Sequence, residues 1–490
     1  MVIEPDFKTY QSLAKDAPYV PVWTEILADT ETPISLYLKL GNSSNSFLLE
    51  SVEGGERLGR YSIIGYNPLL TFKTINGKAY TVTVGQEKEL TEKPLDALYK
   101  LINQLSLPPI TEPRFLGGLV GFLGYDLVRE LENLPEHEND DLELPSTYLT
   151  LHQELLIYDH VKRTVRVAYL GRGGEMTKDG YEKAVEKVKE IVKKISTPMV
   201  TEKVNSEFSL IGSWEANLTR KEFMERVEKA KEYIAAGDIF QVVLSQRFNS
   251  PYKGDPLVIY RQLRALNPSP YMFYLNYPEV QLVGASPEML VQVENGVINY
   301  RPIAGTRPRG HSEAEDRALA QELSNDEKER AEHLMLLDLG RNDVGKVAVP
   351  GSIQIPEQMV VEYYSHVMHL VSSITGRLAP GKNALDALLA CFPAGTVTGA
   401  PKVRAMEIIA ELEKVARGPY SGAVGYFSLH GNLDTCITIR NIVFTSGQAF
   451  VQVGAGIVAD SDPAREYDET INKARALFRV LSGQEVKLCS

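Results

Sequence analysis

The runs SFLLESV (46–52), RYSIIGYNP (60–68), LLTFKTING (69–77) and AYTVTV (79–84) are rich in β-branched and aromatic residues and are separated by Gly, Asn and Pro turn signals. With PISLYLKL (33–40) ahead of them, they predict a meander of strands across residues 31–90. Further on, the strand-like runs IFQVVLSQRF (239–248), EVQLVGAS (279–286), GVINYRP (296–302) and QAFVQVGAGIV (448–458) are mixed with helical stretches. The helices are expected at Asp326 to Leu339, Ala384 to Cys391, Lys402 to Leu412 and Pro463 to Leu481. Strands that cluster at hairpin spacing, instead of alternating regularly with helices, favour an α+β fold with a largely antiparallel sheet over a doubly wound parallel one.

Two domains are expected. Tyr181, Val185, Val188, Ile191, Val192 and Ile195 fall on one face of a helix spanning 178–195, and the polar tract STPMVTEKVNSEFS (196–209) then breaks the pattern. Thr219 and Glu222 form a capping box, and Phe223, Val227, Ala230 and Ile234 recur at helical spacing until Gly237. The boundary therefore separates 1–205 from 210–490.

With 490 residues, 43% of them hydrophobic and 24% charged, the chain has ordinary globular composition. Its 52 Lys and Arg against 64 Asp and Glu give a net charge of −12, the wrong sign for a nucleic-acid or anionic-membrane partner. Cys391, Cys436 and Cys489 are too few and too scattered for a disulfide framework, which fits a reducing cytoplasm. MVIEPDFKTY carries no signal-peptide pattern, and the most apolar stretch, Phe115 to Tyr125, is far short of the roughly 20 residues of a membrane span. The acidic tract 130–143 reads as a solvated loop.

Chemistry concentrates in two ExxE pairs, Glu329 with Glu332 and Glu466 with Glu469. An i, i+3 pair projects from one helical face, so each helix can offer two carboxylates to a common point, and Lys473 continues the second stripe. Hard oxygen donors of this kind suit Mg²⁺, whereas the Cys and His set of a zinc site is missing. Asp462 and Pro463 open the second helix directly after the apolar strand. Gly454, Ala455 and Gly456 nominally match a dinucleotide fingerprint, but the helix begins too late for one. They read instead as backbone that a ligand carboxylate can approach closely. His369 stands in an apolar run and suits a structural imidazole as well as a base. Glu288, after Pro287, suits either a turn carboxylate or a general acid. Arg440, at the end of TCITIR, suits a fork-shaped contact to a carboxylate.

The runs RPIAGTRPRG (301–310), DEKERAEHLMLLDLGRND (326–343), HLVSSITG (369–376), FPAGTVTGAPK (392–402), SGAVGY (421–426) and GAGIVADSDPAREYDETINKA (454–474), in this order, resemble the chorismate-utilising enzymes, most closely the large subunits of anthranilate synthase. The resemblance covers essentially the whole chain. It implies antiparallel sheets packed face to face with surrounding helices. It also implies a Mg²⁺-dependent reaction in which ammonia adds at C2 of chorismate as the C4 hydroxyl leaves, and pyruvate is then eliminated. By resemblance, Glu329, Glu332, Glu466 and Glu469 surround the metal, Glu288 is the acid for the hydroxyl, and His369 serves the elimination. Gln241, Gly305, Thr306, Tyr420, Arg440, Gly454, Ala455, Gly456 and Lys473 match substrate-binding positions.

Two positions separate the branches. Ala304 stands where aminodeoxychorismate synthases carry a nucleophilic lysine, and Gln241 stands where isochorismate and salicylate synthases carry a lysine that activates water. The resemblance further implies a glutamine amidotransferase small subunit as the ammonia source, a heterotetramer of two large and two small chains, and feedback inhibition by L-tryptophan. The tryptophan site would be formed by Glu50 and Ser51 with Pro270, Tyr271 and Met272. The alternatives are another branch of the family, a non-catalytic tryptophan-sensing subunit, or a Mg²⁺-dependent transferase acting on diphosphates.

Overall fold

A computed structural model describes residues 1–15, 17–52, 59–83, 85–108, 114–172, 177–198, 207–364 and 367–483. SFLLESV becomes the strand Ser46–Glu50. RYSIIGYNP and LLTFKTING, expected as two strands, form one strand, Tyr61–Ile75. Asn67, at a φ of 56°, and an irregular register between Pro68 and Leu70 absorb the turn signal as a bulge, where proline's missing N–H is tolerated. PISLYLKL is not a strand. It forms the helical turn Pro33–Leu36, which continues as a wider turn over Tyr37–Gly41. The reason is local: Thr32 caps the turn through a reciprocal pair with Ser35, and Pro33 occupies the first helical position.

Every ladder between described strands is antiparallel. Two apolar layers result. One is built from strands and the loops between them, with Phe47, Phe122, Tyr148, Leu155, Phe273 and Val424 among its members. Among the described residues no helical side chain belongs to it, so this is where sheet faces meet. In the other, the opposite faces of the same strands, such as Leu48, Met272 and Tyr274, pack with Val188, Phe223, Leu337, Ile408 and Leu477 of the helices. The fold is α+β, with a large antiparallel sheet.

The helix Lys178–Ile195 buries Ala184, Val188, Ile191 and Ile195, and Arg220–Ala235 opens with the capping box of Thr219 and Glu222. Most of the tract expected to link two domains lies outside the described residues, as does Cys489. Strands from either side of that tract pair directly. Ser46–Glu50 lies against Tyr271–Asn276, and Gly118–Leu123 against Ala423–Ser428.

The long strand Gln241–Gly254 pairs with Gln448–Ile457, setting Val243 opposite Gly456 and Ser245 opposite Gly454. Behind it lies an ion pair closed to solvent. Arg417 Nε and Nη2 donate to the two carboxylate oxygens of Glu413 at 2.8 and 2.6 Å, with side-chain exposures of 1% and 3%. Breaking a buried pair strands a charge at a cost of about 3–5 kcal/mol. Glu413→Ala is therefore expected to lower unfolding stability in urea by an amount of that order, and a loss below about 1 kcal/mol would show that the pair does not hold these elements.

Candidate active site

The strand Ile303–Pro308 slips register against Val367–Arg377, with Ala304 opposite Leu370 and Thr306 opposite His369. Gly305 is the extra residue, at a φ of 65° that favours glycine. A Cβ there would lie 2.9 Å from Leu323 and 3.0 Å from Glu329 Oε2. The bulge turns the Gly305 carbonyl to His369 Nδ1, 3.1 Å away, with the Thr306 hydroxyl at 3.0 Å. A carbonyl can only accept, so Nδ1 carries the proton and Nε2 is the basic nitrogen. Burial, with the charge of Arg440 adding to it, holds the imidazole below its usual pKa and hence neutral at pH 7.

Glu288 sits between the strands Gln281–Ser286 and Met289–Glu294, and its carbonyl accepts from the Ile437 amide at 3.1 Å. Burial pushes its carboxyl up to about 8, offset in small part by the Thr396 hydroxyl. It is therefore protonated at neutral pH. Arg440, at a φ of 52° and half-buried, donates through Nη1 to the Lys473 carbonyl at 2.5 Å. Lys473 Nζ in turn reaches the Gly454 carbonyl at 3.0 Å and Glu469 at 2.7 Å. Tyr420 and Gln241 fill the space that side chains at 454 and 456 would need: a Cβ at Gly454 would lie 2.8 Å from the Tyr420 hydroxyl, and one at Gly456 2.6 Å from Gln241 Nε2. Ala455 is fully buried between them, opposite Leu244.

The two ExxE pairs sit at the starts of the helices Glu327–Gly345 and Pro463–Ser482. Burial, then the neighbouring Glu329, raises the Glu332 carboxyl. Burial, with Glu469 adding to it, raises Glu466 against the opposing Ser461 hydroxyl. Lys328 and Lys473 each exert their charge on both Glu332 and Glu466, which puts the two helices on one site. Glu329 accepts from Arg307 at 3.1 Å, and Glu332 from Gln241 at 3.5 Å. Among the described residues, no three carboxylates, histidines or cysteines gather closely enough to hold an ion by themselves. The donor set is all oxygen, with Glu329, Glu332 and Glu466 half-buried and Glu469 exposed. That fits Mg²⁺, which keeps several waters and takes one or two carboxylates with a bound anion.

A separate cavity of about 270 Å³ is lined by Glu50, Ser51, Pro270, Tyr271 and Met272. Strand pairing joins the two motifs, because Glu50 lies opposite Met272. Glu50 Oε2 accepts from Tyr260 at 2.6 Å and Arg264 at 3.0 Å, while its buried Oε1 has no hydrogen-bond partner. Asp434 also lines the cavity, raised by burial and accepting from Gln292 at 2.8 Å and Tyr271 at 3.0 Å. Sequence reasoning passed over Asp434, although an acid inside the apolar run NLDTCITI is a visible signal. It also missed Lys328, one helical turn before Glu332.

Residues 44–479 match the family described as chorismate binding enzyme. The chain belongs to that family. As a chorismate-binding enzyme it is 46% identical over 490 residues to anthranilate synthase component 1 of Acetivibrio thermocellus, covering 97% of this chain and 98% of that one. It is likewise 46% identical to the protein of that name from Aquifex aeolicus, over 96% of each chain. The crystal structure of anthranilate synthase component I from Streptococcus pneumoniae superposes with a TM-score of 0.79 at 38% identity, covering 93% and 99% of the two chains. The menaquinone-specific isochorismate synthase of Escherichia coli shares the fold, with a TM-score of 0.72 at 18% identity over 97% and 99%.

For a family member that uses Glu288 as an acid, activity is expected to hold near neutral pH and to fall about tenfold per unit above about pH 8. The kcat/KM profile checks this. The same alkaline limb in Glu288→Gln would assign the ionisation to another group.

Proposed function

We propose that the chain converts chorismate and ammonia to anthranilate and pyruvate. The observation that carries this reading is the split in protonation at the site: a buried carboxyl kept protonated at Glu288 and a neutral imidazole with a basic Nε2 at His369. Ammonia forms the bond to C2, the ring double bonds shift, and the C4–O bond breaks. Glu288 gives its proton to the departing hydroxyl, which leaves as water. The new ammonium group gives up a proton to become the amine; His369 then takes the C2 proton, the C3–O bond breaks, and the enolpyruvyl group leaves as the enolate of pyruvate, which takes up a proton at its methylene carbon, while the ring becomes aromatic.

Arg440 and Lys473 supply fixed positive charge for the substrate carboxylates, and Gly454 and Gly456 let Tyr420 and Gln241 close in beside that charge. Ala304 offers no nucleophile, and Gln241, an amide beside Glu332, removes no proton from water. Both features favour ammonia over the other family nucleophiles. Glu329, Glu332, Glu466 and Glu469 would hold Mg²⁺, which when bound neutralises a substrate carboxylate.

Ammonia would come from an amidotransferase partner. Burial pushes the thiols of Cys391 and Cys436 up to about 12, so neither is the thiolate that glutamine hydrolysis requires. The 270 Å³ cavity would take L-tryptophan, its ammonium facing the unpartnered oxygen of Glu50.

The test is anthranilate fluorescence from the purified chain with chorismate, Mg²⁺ and ammonium, with and without tryptophan. Isochorismate or aminodeoxychorismate as product would overturn the assignment. Glu50→Gln is expected to weaken tryptophan inhibition at least tenfold relative to its own uninhibited rate. His369→Ala is expected to accumulate the amino adduct that still carries its enolpyruvyl group, detected by mass spectrometry. Normal anthranilate output from that variant would remove His369 from the mechanism.

A further inference from the structure

Three neighbouring strands carry one row of side chains through the site. Thr306 of Ile303–Pro308 lies opposite His369 of Val367–Arg377, and His369 lies opposite Glu362 of the strand Gln354–Tyr363. Residues paired across adjacent strands present their side chains on one face, within reach of each other. The imidazole therefore stands between a hydroxyl on one side and a carboxylate on the other.

Glu362 is held by both of its oxygens. Arg301 Nη2 donates to Oε1, and the Tyr364 hydroxyl donates to Oε2 at 2.9 Å. Tyr364 also meets the catalytic ring itself: its centroid lies 5.5 Å from that of His369 and the two planes cross at 63°, the edge-to-face arrangement that aromatic rings prefer. The Tyr364 main chain is tied at both ends, the amide to the Val367 carbonyl at 2.8 Å and the carbonyl to Arg309 Nη1 at 2.7 Å. Arg309 is in turn fixed by Asp316 at 3.1 Å. Burial is the main influence against a proton on the imidazole; of the charges that bear on it, Arg440 opposes a proton and Glu362 favours one. Arg307, beside Thr306, is taken up by Glu322, Asp326 and Glu329, and Arg301 by Glu362 and Glu357. Glu362 thus offsets Arg440 at the moment the imidazole becomes a cation.

We propose that Tyr364 and Glu362 are positioning residues for the loss of pyruvate. The Tyr364 ring holds the imidazole plane with Nδ1 on the Gly305 carbonyl, and the clamped Glu362 carboxylate stabilises the imidazolium that forms as His369 takes the C2 proton. This rests on the reading of His369 as the base of the second step. Neither residue touches the reacting atoms, and ammonia addition, the earlier step, does not call on them.

Single turnovers of the full chain with chorismate, Mg²⁺ and ammonium, followed by mass spectrometry, separate ammonia addition from pyruvate loss, while the His369 ring is titrated by NMR. Glu362→Gln is expected to slow pyruvate loss about tenfold, to keep addition within about threefold, and to lower the His369 midpoint. Tyr364→Leu is expected to slow the same step about tenfold but to raise the midpoint, because the imidazole is then better solvated. Tyr364→Phe keeps the ring and loses only the bond to Glu362, so its rate is expected between those of the unaltered chain and Glu362→Gln. A purely structural role moves both steps together. That result, an unmoved midpoint in Glu362→Gln, or pyruvate loss unchanged in both Glu362→Gln and Tyr364→Leu overturns the proposal. His369→Ala separates the proposal from the reading beneath it. Normal anthranilate output from His369→Ala removes the base and the proposal with it, whereas adduct that accumulates in His369→Ala but in neither other variant overturns the positioning role alone.

Discussion

Arg417 and Glu413 form the contact on which the rest of the site depends. All five N–H groups of the guanidinium are used: two go to Glu413, one to the Val243 carbonyl, one to the Val397 carbonyl and one to the Ser421 hydroxyl. Glu413 also accepts from the Ser245 amide at 2.7 Å. The cation lies over the rings of Tyr125 and Tyr420, 4.7 and 5.7 Å from their centroids. A charge this deeply buried is tolerated only with every donor satisfied. The strand bearing Gln241, the loop bearing Thr396 and the turn bearing Tyr420 must therefore all stand where the fork requires.

Burial then sets the chemistry on this frame. It raises a carboxyl at Glu288 and lowers an imidazole at His369, so one physical effect produces an acid and a base of opposite readiness at the same pH. The 270 Å³ cavity and Glu288 are joined by short backbone steps. Cys436 lines the 270 Å³ cavity, and the next residue, Ile437, donates its amide to the Glu288 carbonyl. Tyr271, also in that cavity, lies opposite Ser286, whose hydroxyl donates to the Ile437 carbonyl at 2.7 Å. An occupant that shifts Tyr271 or the Leu433–Ile437 strand thus acts on the backbone that carries the acid.

Much of this was legible in the residues, and the failures have physical reasons. Period-two runs and turn residues gave the strands, and N-caps such as Asp462 and Thr219 gave the helix starts to within a residue. Residues 33–40 misled because alternating apolar residues fit a strand, while the Thr32 cap and Pro33 decided for a helix. The role of Gly305 is invisible locally: a bulge exists only relative to the opposing strand. Arg417 and Glu413, four apart, look in sequence like an ordinary surface pair on a helix end. Only the fold buries them. The ExxE spacing puts two carboxylates on each helix and Lys473 on the second stripe, but the nearness of Lys328 to Glu466 comes from the tertiary arrangement.

The strand pairings that cross the tract near residue 205 also govern how the chain can be made. Glu50 meets Met272, and Leu123 meets Ala423, so the N-terminal strands wait for partners far along the chain before their edges are closed. During synthesis those edges stand open and adhesive, and neither half can be inherited, exchanged or expressed as a free unit without leaving them so. The sheet is, in this sense, one unit of assembly.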